Sequence, residues 1–419
     1  MAKVAILNPM GDYGQNTYGH DLAEAVGRAG QDVLFLTCGP AHIFEELPTP
    51  KSHERQVLLG SFIFRQIGPL RRRAPNAGTA SAASSPASSL PQRPVLSSDT
   101  SDWRGWAMTW ELLFYAKLRG VRWLWTQWPD MRPYSWLLRK HARQMGFRLA
   151  HTVHNVLPHE PQAVDRVIAQ RVYEESDLLF VHSEQARRRL FAEFPAIDPA
   201  KVHMYRLGAF TTYPRCPEGR SEWRRIWEVR PEQTVWLACG LIRPYKNIDS
   251  LLEAFAGWEN PDAVLVVQGK EAGFPGACDE DPLRYTMAKA QELGLGDRVR
   301  WVPGEVSVRE MSALMEAADG LAVPYRQGSG SGLLSLAIKF GMHVLAAKIG
   351  GAEEYIEEYG WGTLLGDCSV VDIRRGLCVA EQKLRAAEGR RGEVPESLSW
   401  AESGRRASEA IHIVESSQS

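Results

Sequence analysis

The segment at residues 234–255, TVWLACGLIRPYKNIDSLLEAF, indicates the fold most directly. It begins with an apolar run typical of a buried strand, continues through a loop that contains Arg243 and Lys246, and ends in a helical pattern from about Asp249. The same order of strand, loop and helix recurs on both sides of this segment. That rhythm implies parallel strands with right-handed crossovers, as in a doubly wound α/β sheet.

The second half of the chain repeats this unit. Apolar runs predict strands at residues 234–239, 263–268, 299–302, 320–323 and 343–347, with helices between them. Because ligands of such sheets bind at the carboxyl ends of the strands, the loops that follow the strands are the candidate sites.

Two of these loops suit an anionic ligand. Arg243 and Lys246 could neutralise a diphosphate, although an ordinary loop with surface charges would have the same residues. The loop at 324–333, PYRQGSGSGL, precedes a predicted helix from Leu334. Its small residues, Gly330, Ser331 and Gly332, would let backbone N–H groups approach a phosphate, with a flexible glycine–serine loop as the alternative.

Acidic residues in the second half have two interpretations. Glu354, in the segment GGAEE at 350–354, could accept hydrogen bonds from ribose or sugar hydroxyls, or simply favour the start of a helix. The acidic run at 279–281 could hold a divalent cation, but it follows glycines and a proline, and we interpret it as a solvated acidic cluster.

The first half has the same rhythm. Strands are predicted at 3–8, 32–36, 121–125, 148–153 and 177–181, and a helix at 17–28. Ser183 has the sequence context of a helix N-cap. Residues of about 71–101 are rich in alanine, serine and proline, and we expect a flexible insertion there.

The segment HTVHNVLPHE at 151–160 collects polar side chains at the end of a strand. The spacing of His151, His154, His159 and Glu160 matches no standard zinc pattern, so a polar sugar or acceptor site is the favoured interpretation. His151 lies inside the strand, where a core histidine is the alternative.

Composition limits the class of protein. The chain has 419 residues with 24% charged residues and a formal net charge of −1, which predicts two or three globular domains and gives no field to attract nucleic acid. Its six cysteines form no CxxC pair, as expected for a reducing compartment. No apolar run approaches the length of a transmembrane helix. We therefore expect a cytoplasmic protein.

Several motifs together resemble those of glycosyltransferase family 4 (group 1) and its GT-B relatives. In the second half these are GLIRPYKNIDSLLEAF (240–255), LGLGDRVRWVPGEVSVREMSALMEAADGLAVPY (293–325) and SGLLSLAIKFGMHVLAAKIGGAEEYI (331–356). In the first half they are the glycine loop MGDYGQN (10–16), LWTQWP (124–129) and TVHNVLPHE (152–160). The order and spacing of these motifs are more specific than any one of them.

The resemblance implies two Rossmann-like domains that face a cleft. Residues 1–215 would bind the acceptor, residues 216–400 a nucleotide-sugar donor, and residues 401–419 would form a helix that returns to the N-terminal domain. It implies transfer of a hexosyl group to a glycan or lipid-linked acceptor in polysaccharide or glycoconjugate biosynthesis. We expect no metal and no cofactor.

The same motifs give the expected site residues. Those expected in catalysis are Asp12, His154, His159 and Glu160. Those expected to bind the donor are Gly14, Arg243, Lys246, Val306, Gly330, Ser331, Gly332, Leu333 and Glu354.

One departure from the family concerns its E-x7-E segment. Alignment on Ala337 and Gly341 places Gly328 and Leu336 where the family carries glutamates that contact the donor sugar and the ribose. Their absence leaves the anomeric outcome open. It also keeps an inactive GT-B binding protein as an alternative. A sugar-nucleotide epimerase, which can share the GT-B architecture, is the other alternative.

Seven of the 14 tryptophans lie between residues 103 and 136, among nine Lys/Arg residues and only two acids at 104–148. Aromatic rings with interleaved cations suit the surface of an anionic membrane. A face built from residues 106–118 would bring the enzyme to a lipid-linked acceptor as a peripheral protein. Packing of the same aromatics in the core is the alternative, above all for Trp123 and Trp125.

Overall fold

The computed structural model describes residues 3–8, 13–37, 51–52, 54–57, 103–127, 133–158, 163–269, 282–328 and 332–417. Within these ranges the chain forms two parallel sheets with flanking helices, one in each half. This two-domain α/β architecture confirms the predicted fold class.

The N-terminal sheet consists of β1 (Lys3–Asn8), β2 (Asp32–Thr37), β3 (Glu54–Val57), β4 (Val121–Thr126), β5 (Arg148–Thr152), β6 (Leu178–Val181) and β7 (Val202–Met204). These strands are all parallel and lie in the order β3-β2-β1-β4-β5-β6-β7. The strand order reverses between β1 and β4, and we call the carboxyl ends there the N-terminal switch point. The helices of this domain are α1 (Tyr13–Arg28), α2 (Trp103–Leu118), α3 (Pro133–Gln144), α4 (Ala163–Glu174) and α5 (Glu184–Glu193).

The C-terminal sheet consists of β8 (Thr234–Cys239), β9 (Ala263–Gly269), β10 (Val299–Pro303), β11 (Gly320–Val323), β12 (His343–Ala347) and β13 (Gly362–Leu365). Its parallel order is β10-β9-β8-β11-β12-β13, which reverses between β8 and β11. We call the carboxyl ends there the C-terminal switch point. The helices are α6 (Pro217–Ile226), α7 (Ile248–Ala256), α8 (Pro282–Glu292), α9 (Val308–Ala317), α10 (Gly332–Lys339), α11 (Ala352–Tyr359) and α12 (Val370–Ala386).

Apolar runs located the central strands because those strands are buried on both faces. The predicted strands at 234–239, 320–323 and 343–347 match the structure at both ends. The edge strands β3, β7 and β13 were not predicted, since they have only four, three and four residues and no long apolar run. Helix α1 begins at Tyr13, four residues before the predicted start. The Ser183 hydroxyl accepts from the Ala186 N–H at 3.0 Å, which confirms the predicted N-cap of α5.

The chain crosses between the domains twice. The Ala209 N–H donates to the Leu398 carbonyl at 2.8 Å, so the two crossing segments lie side by side. After the second crossing, α13 (Trp400–Ser416) packs on α1, and a Cβ at Gly404 would lie 2.3 Å from the Ala25 carbonyl oxygen. The Trp123 indole donates to Glu415 at 3.1 Å. Helix α13 therefore belongs spatially to the N-terminal domain.

The tryptophan-rich segment divides between core and surface. Trp123 and Trp125 lie fully buried in β4, as in the alternative considered for them. Trp110 is half-buried, whereas Phe114 and Leu118 on the same helix are 56% and 85% exposed. The side chains of Trp103, Trp106, Trp128 and Trp136 lie outside the described part of the chain, as do residues 71–101 and the acidic run at 279–281.

No helix in the described ranges has both the length and the apolar character needed to cross a bilayer. Of the six cysteines, four fall in these ranges and are free thiols: Cys216, Cys239, Cys368 and Cys378.

Candidate functional site

The two predicted phosphate loops meet at the C-terminal switch point. One follows β8 and the other follows β11, and these strands are neighbours in the sheet. The Arg326 N–H donates to the Tyr245 carbonyl at 2.7 Å, and the rings of Tyr245 and Tyr325 pack edge to face at 5.7 Å. The tertiary structure thus joins loops that lie about eighty residues apart into one ligand-facing surface.

Lys246 lies folded back against the end of β8. It is 6% exposed, and its ammonium donates to the Cys239 carbonyl at 2.9 Å and lies 5.4 Å from the centre of the Tyr325 ring. Burial lowers the pKa of Lys246 to about 8. Among the residues that the structure describes, no carboxylate pairs with this ammonium, so an anionic ligand such as a phosphate would supply its counter-charge.

Gly240 is required by this arrangement. Its φ is +94°, and a Cβ there would lie 2.7 Å from the Lys246 nitrogen. Glycine therefore provides both the backbone conformation and the space for the lysine. Asn247, at φ 60°, ends the short turn at Pro244–Lys246, and its side-chain amide donates to the Cys368 carbonyl at 3.0 Å.

Arg243 is half-buried at the start of that turn, in extended backbone. Its positive charge is close enough to Lys246 to help lower the pKa of that lysine, after burial as the larger cause. The two cations are therefore near each other. Their contact with a donor stays a prediction.

The glycine–serine loop is described only in part. Gly330 and Ser331 lie outside the described residues, whereas Gly332 opens α10 and is exposed. A Cβ at Gly332 would meet the Phe210 ring at 3.7 Å, an ordinary contact distance, so the protein alone does not demand glycine there. Leu333 is half-buried beside Gly240, and Val306 is half-buried against the core beyond β10.

The two positions that lack the family's glutamates differ in their surroundings. Leu336 is 3% exposed and packs in the core. Gly328 borders an open concavity at the ends of β11 and β12. Its walls are mostly apolar and are formed by Val323, Tyr325, Gly328, Leu334, Ala346, Ala347, Ile349 and Ala352. The place where the family presents a carboxylate is therefore uncharged here.

Glu354 binds the other domain in this structure. One of its carboxylate oxygens lies 2.6 Å from the Arg206 guanidinium. The two carboxylate oxygens also accept hydrogen bonds, one from the Glu184 N–H at 2.9 Å and the other from the Gln185 N–H at 2.8 Å. Burial alone would raise the pKa of Glu354, but these donors hold it below its ordinary value. The carboxylate thus caps α5 across the domain junction. Its contact with ribose stays a prediction.

In the N-terminal half, His154 lies at the end of β5 beside other rings. Its imidazole packs edge to face on Tyr18 at 4.7 Å and lies 5.1 Å from the His182 ring. Burial, with the neighbouring His182 and His151, lowers the pKa of His154 well below its ordinary value, so the ring is neutral at pH 7. A neutral imidazole is better suited to positioning a substrate than to acting as a cation.

The remaining predicted catalytic residues fall outside the part of the chain that the structure describes. Asp12, His159 and Glu160 lie outside the described residues, and Gly14 is described only through the backbone of the first turn of α1. His151 is fully buried and its Nδ1 lies 2.8 Å from the Thr126 hydroxyl, which fits the core alternative.

The structure brings further polar side chains near His154 that the sequence did not suggest. The Tyr18 and Tyr205 hydroxyls lie 2.5 Å apart, and the Tyr355 hydroxyl from the other domain donates to the His182 carbonyl at 3.2 Å. Burial lowers the pKa of His182 to about 4. His182 directly follows β6, a position that could have drawn attention, but the tyrosines come from distant segments.

Within the described part of the chain, no group of three or more His, Cys, Asp or Glu residues converges as metal ligands would.

Two family models match the chain. The model described as "Glycosyl transferase 4-like domain" covers residues 13–208, and "Glycosyl transferases group 1" covers residues 219–382. Among curated proteins, the D-inositol 3-phosphate glycosyltransferase of Mycobacterium ulcerans is 30% identical over 53% of this chain and 46% of its own. The chain thus spans about half the length of the curated relatives it matches.

Solved structures with the same fold include a sucrose-phosphate synthase from Thermosynechococcus elongatus, with a TM-score of 0.65 at 17% identity. It is matched over 100% of this chain and 98% of its own. Anabaena HepE in complex with UDP and glucose gives a TM-score of 0.64 at 14% identity over 100% and 98% of the two chains. These likenesses establish the GT-B fold.

Proposed function

The chain belongs to the GT-B glycosyltransferases of the family 4 type, and from this premise we propose that it transfers a hexosyl group from a nucleotide-sugar donor. The acceptor in this proposal is a glycan or a lipid-linked saccharide, within polysaccharide or glycoconjugate biosynthesis. The observation that carries the proposal is the buried Lys246 ammonium beside Arg243, at the point where the loops after β8 and β11 meet.

The chemistry follows from charge. Cleavage of the donor's sugar–phosphate bond leaves a nucleoside diphosphate with an extra negative charge on its leaving oxygen. Lys246 and Arg243 would stabilise that charge, and because Lys246 is already held by the Cys239 carbonyl, little reorganisation of this lysine would accompany the reaction. We propose that these cations, with the N-terminus of the helix after the glycine–serine loop, replace the metal that other sugar transferases use.

The acceptor would bind to the N-terminal domain, across the cleft. If the reaction inverts the sugar, a base must stand near the acceptor hydroxyl, and Asp12, His159 and Glu160 are the candidates for it. His154, neutral at pH 7, would position the donor sugar or the acceptor. Comparison of the product anomer with the donor anomer decides whether a base is needed at all.

The direct test is incubation with UDP-, GDP- and ADP-sugars, read out by nucleoside diphosphate release and by NMR of the sugar. Release of the diphosphate with transfer or hydrolysis of the sugar is expected. An epimerised donor that keeps its diphosphate would instead identify a GT-B epimerase. Donor binding without any turnover would identify an inactive binding protein.

We also propose that α2 contacts an anionic membrane surface, where a lipid-linked acceptor would be found. Phe114 and Leu118 are 56% and 85% exposed one turn apart, and the Trp110 ring lies 5.6 Å from the Phe114 ring. Exposed Lys117 on the same helix and Lys140 on α3 add cations near this apolar strip.

Flotation with vesicles of anionic and of neutral lipid, at low and high salt, tests this contact. Salt-sensitive flotation with anionic vesicles is expected, and Phe114→Ser with Leu118→Ser should abolish it. A chain that stays at the bottom of the gradient with anionic vesicles at low salt does not bind membranes in this way.

A further inference from the structure

The loop that follows β13, residues 366–369, contacts both loops that meet at the C-terminal switch point. β13 is the edge strand of its sheet, and β12 and β11 separate it from β8. The Cys368 carbonyl nevertheless accepts from the Asn247 side-chain amide at 3.0 Å, and the Cys368 thiol lies 3.9 Å from the Tyr325 carbonyl oxygen. Asn247 directly follows Lys246, and the Tyr325 ring faces the Lys246 ammonium at 5.4 Å. The loop therefore contacts the two segments that surround the lysine.

The side chain of Asn247 is not used for its own helix. Asparagine directly before a helix commonly accepts a hydrogen bond from a backbone N–H of the first turn, but Asn247 makes no such bond with α7. Its backbone is left-handed, at φ 60°, a conformation that glycine adopts more easily than asparagine. The backbone alone therefore does not require asparagine here. What asparagine adds is the amide, which is 0% exposed and donates to Cys368.

Asp372, in the first turn of α12, gives the loop after β13 its shape. One carboxylate oxygen accepts from three consecutive N–H groups, those of residues 366, 367 and 368, at 2.6, 3.0 and 3.1 Å. The other oxygen accepts from the Arg375 guanidinium at 2.6 Å. Cys368 is left-handed at φ 57°, which a residue with a side chain adopts at a cost. The bonds to Asp372 offset that cost and fix the loop from which the Cys368 carbonyl reaches Asn247.

Lys246 needs this support because its position is unfavourable by itself. Burial disfavours its charge, and the turn that carries it, Pro244–Lys246, has only three residues. Two backbone bonds close that turn, from the Lys246 N–H to Arg243 at 3.0 Å and from the Asn247 N–H to Pro244 at 3.1 Å. A further anchor at the end of so short a turn therefore helps to decide whether the ammonium stays against β8 or moves into solvent.

We propose that Asn247 and Asp372 are positioning residues for Lys246. Asp372 shapes the loop after β13, the Cys368 carbonyl of that loop holds the Asn247 amide, and Asn247 keeps the ammonium where a diphosphate would bind. Both residues are buried, so they act through Lys246 and not by touching the donor. This inference rests on the proposed donor site and extends it to a strand end that carries no cation of that site.

The first test is Asn247→Gly in the full chain, which removes the amide and keeps the left-handed backbone. UDP and GDP are titrated by calorimetry at pH 7. The affinity for the nucleotide that the wild type binds should fall about tenfold, or roughly 1.4 kcal/mol, because the ammonium is no longer held. Gly389→Ala, at φ +79° with nothing within 4 Å, is the control for a general loss of stability and should bind as the wild type does. Unchanged affinity in Asn247→Gly would overturn the proposal.

The second test asks whether Asn247 acts through the lysine. Once Lys246→Ala has removed the ammonium, adding Asn247→Gly should weaken nucleotide binding no further. A second loss as large as the one seen in the wild-type background would mean that Asn247 acts independently, and the proposal would fail.

The pH profile separates positioning from a general structural role. In the wild type, burial lowers the pKa of Lys246 to about 8, so nucleotide affinity should fall around that pH. In Asn247→Gly the ammonium is less buried, its pKa moves towards the ordinary lysine value, and the fall in affinity should shift to higher pH. A weaker affinity with an unshifted midpoint would identify a structural role and overturn the proposal.

The link through the loop is tested with Asp372→Asn, which removes the negative charge that holds the three N–H groups. This variant should weaken nucleotide binding in the same direction, and its combination with Asn247→Gly should add little. Fully additive losses would show that no link runs through Cys368. Wild type that binds neither UDP nor GDP would count against the donor site and so against the proposed function. Normal wild-type binding that Asn247→Gly leaves unaltered would count against the positioning residues alone.

Discussion

The two switch points share a strand order but differ in how their polar groups are used. At the C-terminal switch point, Gln268 holds Gly240 and Gly304 in place, and Lys246 is fixed by the Cys239 carbonyl. At the N-terminal switch point, the side-chain amide of Gln127 is equally buried yet has no hydrogen-bond partner among the residues that the structure describes. The C-terminal switch point therefore holds a cation and a glutamine whose hydrogen bonds are made. The described side chains at the N-terminal switch point are neutral and have unused hydrogen-bond donors and acceptors.

The difference indicates two kinds of ligand recognition on one architecture. A cation held in place, as Lys246 is, suits an anionic group such as a diphosphate, since prearranged charge needs little reorganisation. Neutral amides suit hydroxyl groups, which donate and accept alike. The identity of the ligand is therefore set by the residues at the strand ends and not by the sheet.

The largest expected effect concerns the charge at the C-terminal switch point. Lys246→Ala removes the buried ammonium, and loss of one charge-assisted contact should weaken donor binding and turnover by about 1.5–3 kcal/mol. Titration with UDP and GDP and measurement of kcat/KM check this. Lys289→Ala, which removes a lysine paired with Glu253 on α7, is the control and should have no effect. Unaltered kcat/KM in Lys246→Ala would remove the basis for calling this surface cationic in function.

A smaller effect is expected from the glycine that makes room for that ammonium. Gly240→Ala places a side chain at φ +94° and within 2.7 Å of the lysine nitrogen, which should destabilise the fold by about 1–3 kcal/mol and weaken donor binding as Lys246 moves. Gly389→Ala is the matched control, since its φ is +79° but nothing lies within 4 Å. Both variants should lose stability on chemical denaturation, and only Gly240→Ala should lose donor affinity. Equal donor affinity in the two would show that the close packing is irrelevant to binding.

The pH dependence tests the C-terminal switch point, because Lys246 titrates there. With the pKa of Lys246 at about 8, its protonated fraction falls about tenfold between pH 7 and 9, and donor affinity should fall with it. Between pH 8 and the ordinary lysine value of 10.5, the unfolded chain binds more protons than the folded one. The contribution of Lys246 to the free energy of unfolding should therefore rise with pH there.

Calorimetric titration of UDP or GDP across pH 7–9 measures the first trend, and denaturation over the higher range measures the second. Lys246→Ala should flatten both. A donor affinity that rises with pH over 7–9 would mean that the lysine is not the group that binds the diphosphate.

The smallest effect is expected from metal removal. If Arg243 and Lys246 neutralise the diphosphate, EDTA should leave turnover unchanged, and added Mg²⁺ or Mn²⁺ should not raise it. Turnover lost with EDTA and restored by either ion would direct attention to Asp279 and Asp281. It would also mean that the C-terminal switch point does not act through protein cations alone.

The sequence by itself determined the fold class, the central strands, the Ser183 cap and the loop that carries Arg243 and Lys246. Local patterns suffice for these because a strand buried on both faces needs a continuous apolar run, and an N-cap needs a side-chain oxygen at one position. The edge strands β3, β7 and β13 were missed because three or four residues carry too little pattern.

Only the tertiary structure decided which side chains are satisfied. Glu354, expected at a ligand, caps α5 from the other domain. The side chain of Gln127, unremarkable in sequence, has no hydrogen-bond partner in the described part of the chain. Hydrogen-bond partners are set by distances between segments far apart in the chain, and no local pattern encodes those distances. In the sequence, both switch points therefore have the same pattern of strand, loop and helix. Only the packing shows which of them has unused hydrogen-bonding groups.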